Sequence, residues 1–312
     1  MDTRQLTVRT SDGVLLAGEE SGGEDGGGPD AAAGYGGATG EPGEGGGRRG
    51  VGRQTIVLLH GLTATRRYVV MGSRLLQRAG VRVIAYDARG HGRSAPAPDR
   101  GAYGYELLAA DLAAVLDACG IERAALAGAS MGAHTLLRFA LAHPGRVSAL
   151  GIVTPAYDPD APPGGAPEGD RDTLARALRA GGVEGFLRAY DFTSVPPAWR
   201  ETVRTVVRQR LSAHEHPAAV ADAMEVVSRS RPFAHITDLA DIAVPTLVVA
   251  SRDEVDPGHP LALAERYAAA IPGAKLAVED GGPPLHSPLA WQGGQLSREL
   301  LGLLERASGP KA

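Results

Sequence analysis

Short runs of apolar, often β-branched residues alternate along this chain with stretches whose apolar positions recur every three or four residues. The runs at 55–59, 81–86, 124–129, 149–153, 246–250 and 275–278 predict buried strands. Helical spacing marks 68–79, 105–119, 130–142, 261–270 and 289–305. In the second of these, Leu107, Leu108, Leu112, Val115 and Leu116 share one face. Strands and helices in this order predict a mostly parallel sheet covered by helices on both faces. The start is different. Residues 5–10 and 14–19 flank Ser11-Asp12-Gly13, which predicts a β-hairpin.

Two segments break the rhythm. Between 21 and 50, fourteen of thirty residues are glycine, with Pro29, Pro42 and scattered acids. Such a segment buries too little apolar surface to offset its ordering entropy, so a flexible surface loop is expected. Residues 156–238 carry no strand run. They open Pro/Gly-rich over 158–170, then read as helices at 172–180, 183–190, 198–211 and 218–228. The expected organisation is a core in two parts, 1–155 and 239–312, with a helical cap, 156–238, inserted after the sixth strand.

Composition narrows the function. The 312 residues suffice for one large α/β unit with an insertion. A net charge of −4, with arginines interleaved among acids, argues against a nucleic-acid partner. The single cysteine, Cys119, can form no internal disulfide and reads as a packed or half-exposed thiol. No stretch approaches the roughly 18 apolar residues of a membrane span. The polar start, Met1 to Gln5, has no apolar run after it, so a cytoplasmic location is expected. Nothing in the pattern sets an oligomeric state.

The chemistry gathers at strand ends. Gly128-Ala129-Ser130-Met131-Gly132 fits G-x-S-x-G between a strand and a helix. A nucleophilic serine needs a sharp turn there, and glycines two before and two after let strand and helix approach. It also needs a base, oriented by an acid. In this chain order the acid follows a late strand and the histidine a later one. Asp253 follows the 246–250 run, with Asp256 and Asp158 as competitors, and His286 follows the 275–278 run. An oxyanion hole takes one N–H from Met131 and one from the loop after the first core strand, His60-Gly61-Leu62-Thr63, with Leu62 as donor. His60 itself reads as structural.

Other motifs yield less. Gly90, Gly92 and Ala95 mimic a dinucleotide fingerprint, but Pro96 and Pro98 follow where a helix N-terminus would have to stand. His214-Glu215-His216 lacks metal-ligand spacing and reads as a solvated helix end. Trp199, Phe186, Tyr190, Phe192 and Met224 read as packing of the insertion, where a lid could also aim them at substrate.

Together these residues resemble the α/β-hydrolase superfamily, in its lid-bearing serine esterase, C–C hydrolase and cofactor-free haloperoxidase-like branch. The likeness covers the chain except 21–50. It rests on His60-Gly61, on Asp87 to Ser94 as D-x-R-G-x-G-x-S, on the turn around Ser130, and on Ala250 to Pro257 as G-x-x-D-x-x-x-P. That last alignment puts the acid at Asp253. Ala250 stands where the family has glycine, and Leu285 where it has the glycine before its histidine.

The resemblance implies an α/β-hydrolase fold and a Ser130–His286–Asp253 triad, with Leu62 and Met131 as oxyanion donors. It implies no metal, no organic cofactor and a small-molecule substrate. The expected reaction is hydrolysis of a carboxylic ester, thioester or lactone. A C–C hydrolase, a cofactor-free perhydrolase and a binding protein with little turnover stay open. Serine at the turn argues against haloalkane dehalogenase and epoxide hydrolase chemistry, which use a carboxylate there.

Overall fold

The computed structural model describes residues 3–23, 54–161, 166–252, 258–278, 291 and 294–309. Eight strands form one sheet: β1 (Thr3–Arg9), β2 (Leu15–Ser21), β3 (Thr55–Leu59), β4 (Arg82–Tyr86), β5 (Ala124–Ala129), β6 (Val147–Val153), β7 (Thr246–Ala250) and β8 (Lys275–Val278), in the order β1-β2-β4-β3-β5-β6-β7-β8. The β1–β2 and β2–β4 pairings are antiparallel, and the rest are parallel. Hence the hairpin forms one edge, and the five parallel strands that follow β4 direct their C-terminal ends to one rim.

Both faces of the inner strands β3 to β7 are buried, which is why these read as continuous apolar runs. Along β3, Val57 and Leu59 face one core and Ile56 and Leu58 the other. The first core packs against α2 (Tyr105–Ala118), α3 (Met131–Ala142) and α7 (Leu261–Ala270). The second packs under α1 (Leu75–Arg78) and α8 (Gln295–Ala307).

Two expected helices are shorter than their spacing suggested. Only 75–78 of the 68–79 stretch forms α1, because Met71 (φ 48°) and Gly72 (φ 74°) take left-handed backbone that a helix cannot contain. α8 begins at Gln295, where Gly294 (φ 80°) supplies the turn into it. The Gly-rich segment from residue 24 onward lies outside the described residues.

Between β6 and β7 run α4 (Ala166–Ala189), α5 (Arg200–Leu211) and α6 (Pro217–Val227). α4 is broken at Gly182 (φ 57°, ψ −153°), which accounts for two helices in the sequence pattern. Ala175, Leu178, Phe186, Leu211, Val220, Ala221 and Met224 give this insertion its own small core. Phe192 and Trp199 pack in a satellite cluster with Leu187, Val195 and Val203. These aromatics therefore serve packing.

Candidate active site

Ser130 ends β5 and caps α3. Its φ of 49° and ψ of −112° are strained for a residue with a Cβ, at a cost of about 1–3 kcal/mol. The surrounding backbone enforces the conformation. Ser130 N–H donates to Val153 O (2.9 Å), and Ser130 O accepts the first helical bond from His134 N (3.0 Å). The flanking glycines are required by space. A Cβ on Gly128 would lie 2.5 Å from Gly132 C, and one on Gly132 would lie 2.3 Å from Leu59 O.

Ser130 Oγ stands 2.9 Å from His259 Nε2, within hydrogen-bond reach. His259 lies in the connection from β7 to α7, next to Pro260. The sequence pattern did not nominate it. Its one local signal was position, in the loop after a parallel strand, at the rim where such sheets bind ligands. Asp253, Asp256 and His286 fall outside the described residues. The remaining competitor, Asp158, is held by Arg266 (2.8 Å) and by the N–H of Asp160 (3.0 Å).

The loop after β3 lies against Ser130. A Cβ built on Gly61 would be 3.5 Å from Ser130 Cβ. Its carbonyls are tied back. Gly61 O accepts from Ala64 N–H (3.0 Å) and His60 Nδ1–H (2.8 Å), Leu62 O from Arg210 (3.3 Å), and Thr63 O from His214 Nε2–H (3.0 Å). In a trans peptide the N–H points opposite the carbonyl, so Leu62 N–H faces away from the His60 ring. Neither Leu62 N–H nor Met131 N–H has an acceptor among the described residues. The side chains of both pack with Ala88, Tyr105, Leu108 and Val227.

Two buried histidines near Ser130, His60 and His134, are held neutral. His60 accepts from Ala88 N–H at Nε2 (2.9 Å) and is wholly buried, which lowers its pKa to about 3. This is the structural role expected for it. His134, one turn after Ser130, accepts at Nε2 from the N–H groups of Ala156 and Tyr157 (both 3.1 Å). Its Nδ1–H therefore donates to Tyr105 Oη (3.1 Å). Burial and, secondarily, the nearby His259 lower its pKa to about 3.

His214 is not the solvated residue its sequence neighbours suggested. It is 7% exposed, and burial lowers its pKa. The turn at Asp87 to Ser94 is structural, as expected. A Cβ on Gly92 (φ 52°) would strike the Asp87 carboxylate, which is bonded to Arg66 and to Arg93 N–H. Among the described residues, no group of three or more acidic, histidine or cysteine side chains is placed to hold a metal ion. No helix among them is long and apolar enough to cross a membrane.

The fold agrees with comparisons to known proteins. The sequence profile described as alpha/beta hydrolase fold matches residues 54–287. A RutD protein of Variovorax paradoxus, named as a carbamate hydrolase, is 30% identical over 258 residues, spanning 82% of this chain and 94% of its own. A 2-hydroxy-6-oxononadienedioate/2-hydroxy-6-oxononatrienedioate hydrolase of Pseudomonas putida is 30% identical over 237 residues, covering 73% of this chain and 80% of its own. A thermophilic esterase structure from Thermogutta terrifontis superposes with a TM-score of 0.67 at 24% identity, covering 97% of this chain and 99% of that one. With a serine elbow at the C-terminal rim of a mostly parallel sheet and a profile match over most of its length, the chain belongs to the α/β-hydrolase fold family.

Proposed function

We propose that this hydrolase is a serine enzyme cleaving an ester-like bond of a small molecule: a carboxylic ester, thioester or lactone. Ser130 Oγ attacks the carbonyl carbon as an imidazole takes its proton. The N–H groups of Leu62 and Met131 receive the oxyanion. The bond to the leaving group breaks, the imidazolium returns the proton to that group, and water then releases the acyl chain by the reverse sequence. The helices between β6 and β7 act as a cap over the nucleophile.

The observation that carries this reading is the 2.9 Å contact between a strained elbow serine and an imidazole. Two histidines compete for the base. His286, oriented by Asp253, is nominated by chain order, whereas His259 is the one within reach of Ser130. A second reaction, hydrolysis of a C–C bond with the same serine, is supported by the Pseudomonas putida relative.

Fluorophosphonate labelling tests the nucleophile. The wild-type protein should label and Ser130→Ala should not, while an unlabelled wild type would sink the proposal. His259→Gln and His286→Gln, assayed separately on p-nitrophenyl esters, identify the base by a kcat loss on the order of 10³ or more. Full activity in both variants would rule out either histidine as base. Comparing esters with vinylogous diketone substrates separates C–O from C–C cleavage.

A further inference from the structure

The stretch after α5 crosses back from the insertion to the core and meets it at two places. His214 Nδ1 accepts the N–H of Gly92 (2.8 Å), and Glu215 N–H donates to Gly92 O (2.9 Å). The other ring nitrogen, Nε2, lies 3.0 Å from Thr63 O. The Gly92 partner can only donate and the Thr63 partner can only accept. One tautomer therefore satisfies both, the neutral ring protonated on Nε2.

The contact to Thr63 transmits to the oxyanion hole through two rigid peptide planes. Thr63 O belongs to the same planar unit as Ala64 N–H, and that N–H donates to Gly61 O (3.0 Å). Gly61 O belongs to the same planar unit as Leu62 N–H, the oxyanion donor proposed above. Holding Thr63 O thus sets the direction of Leu62 N–H two planes away. The loop needs such a hold, because Thr63 has a φ of 64°, a conformation a threonine adopts only under constraint.

We infer that His214 is a positioning residue for catalysis, a clasp from the insertion that aims the Leu62 N–H at the oxyanion. Arg210, bonded to Leu62 O (3.3 Å) one turn earlier, reinforces the same loop. The clasp rests on the reading of Ser130 as nucleophile and deepens it. The insertion then contributes to the rate of the chemical step as well as to the choice of substrate.

Two substitutions dissect the ring. In His214→Gln the amide nitrogen stands where Nε2 stood and keeps the donor to Thr63 O. In His214→Asn the amide oxygen stands where Nδ1 stood and keeps only the acceptor for Gly92 N–H. Each loses one hydrogen bond, so both should melt at similar temperatures. We expect His214→Asn to lose kcat by roughly 10- to 100-fold at nearly unchanged KM, and His214→Gln to stay within about threefold of wild type.

Equal losses in the two, no loss in either, or loss confined to His214→Gln would overturn the clasp. If neither variant folds, the ring ¹⁵N spectrum of the wild-type protein decides, since His214 protonated on Nδ1 would leave Thr63 O without its donor. Failure of the underlying reading is separate: it shows as fluorophosphonate labelling that survives in Ser130→Ala.

Discussion

Gly132→Ala probes the contact on which the candidate site depends. A Cβ there would sit 2.3 Å from Leu59 O, 2.6 Å from Leu59 C and 2.8 Å from His60 O, whereas ordinary contact begins near 3.4 Å. All three atoms are backbone, so no side-chain rotation relieves the overlap. α3 and the end of β3 must separate by about 1 Å, the difference between 3.4 and 2.3 Å. β3 runs on through His60 into Gly61 and Leu62, so the separation carries one proposed oxyanion donor away from Ser130 and from the other, Met131. A 1 Å misplacement of that kind costs on the order of 10²-fold in rate, about 2.7 kcal/mol of barrier.

Overpacking should also destabilise the fold by about 1–3 kcal/mol, offset by up to about 1 kcal/mol because alanine is the better helix former. The assays are kcat and KM on a p-nitrophenyl ester and the urea midpoint. Gly145→Ala is the control, since a Cβ there meets nothing within 4 Å. A Gly132→Ala enzyme with wild-type kcat would refute the reasoning, because the elbow would then tolerate the displacement it is built to prevent.

Two further outcomes follow from buried charge. Arg89→Met should cost about 3–5 kcal/mol, because Asp111, whose side chain is 1% exposed, would keep its carboxylate without the two 2.7 Å bonds it now receives. Adding Asp111→Leu should recover much of that loss in urea unfolding, and a double variant no more stable than the single one would show that the pair is not the cause. The second outcome concerns acid. His60 and His134, held near 3 by burial, sit well below the ordinary value of 6.5, so in acid the unfolded chain binds protons that the folded chain refuses. Their contribution is complete above about pH 6.5 and is lost as pH falls toward 3, at about 1.4 kcal/mol per pH unit for each histidine. Urea midpoints unchanged between about pH 7 and 4.5 would contradict this.

The strands were legible because their signal is local. β3, β5, β7 and β8 are bounded apolar runs, and each forms over the residues its run predicts. The sharp turn at Ser130 was legible for the same reason, since strand, turn glycines and helix lie within one short segment. The 68–79 stretch misled because helical spacing does not register Met71-Gly72 turning left-handed. His259 and His214 were hidden for a different reason. Their partners stand 129 and 151 residues away, at Ser130 and Thr63, and no local pattern encodes such a meeting. His214 in particular sits in a polar, proline-ended run, and it is buried where that run meets the turn at Gly92, 122 residues earlier, and the loop at Thr63.

Leu62 ties these observations together. It packs against the core of the insertion, against the cluster of Met131 and Tyr105, and against the cluster of Tyr103, Ala219 and Ala223. Its carbonyl is bonded to Arg210 of α5. A proposed oxyanion donor is therefore held between the insertion and the sheet, and does not ride on the sheet alone. Replacing the insertion to change the substrate would remove Arg210 and His214, and with them the hydrogen bonds the insertion makes to Leu62 O and to Thr63 O beside the strained Thr63 backbone. Specificity and turnover should then fall together. An exchange that keeps the stretch from Arg210 to Glu215 is the one expected to change specificity while preserving rate, because that stretch carries every insertion bond to Leu62, Thr63 and Gly92 described above.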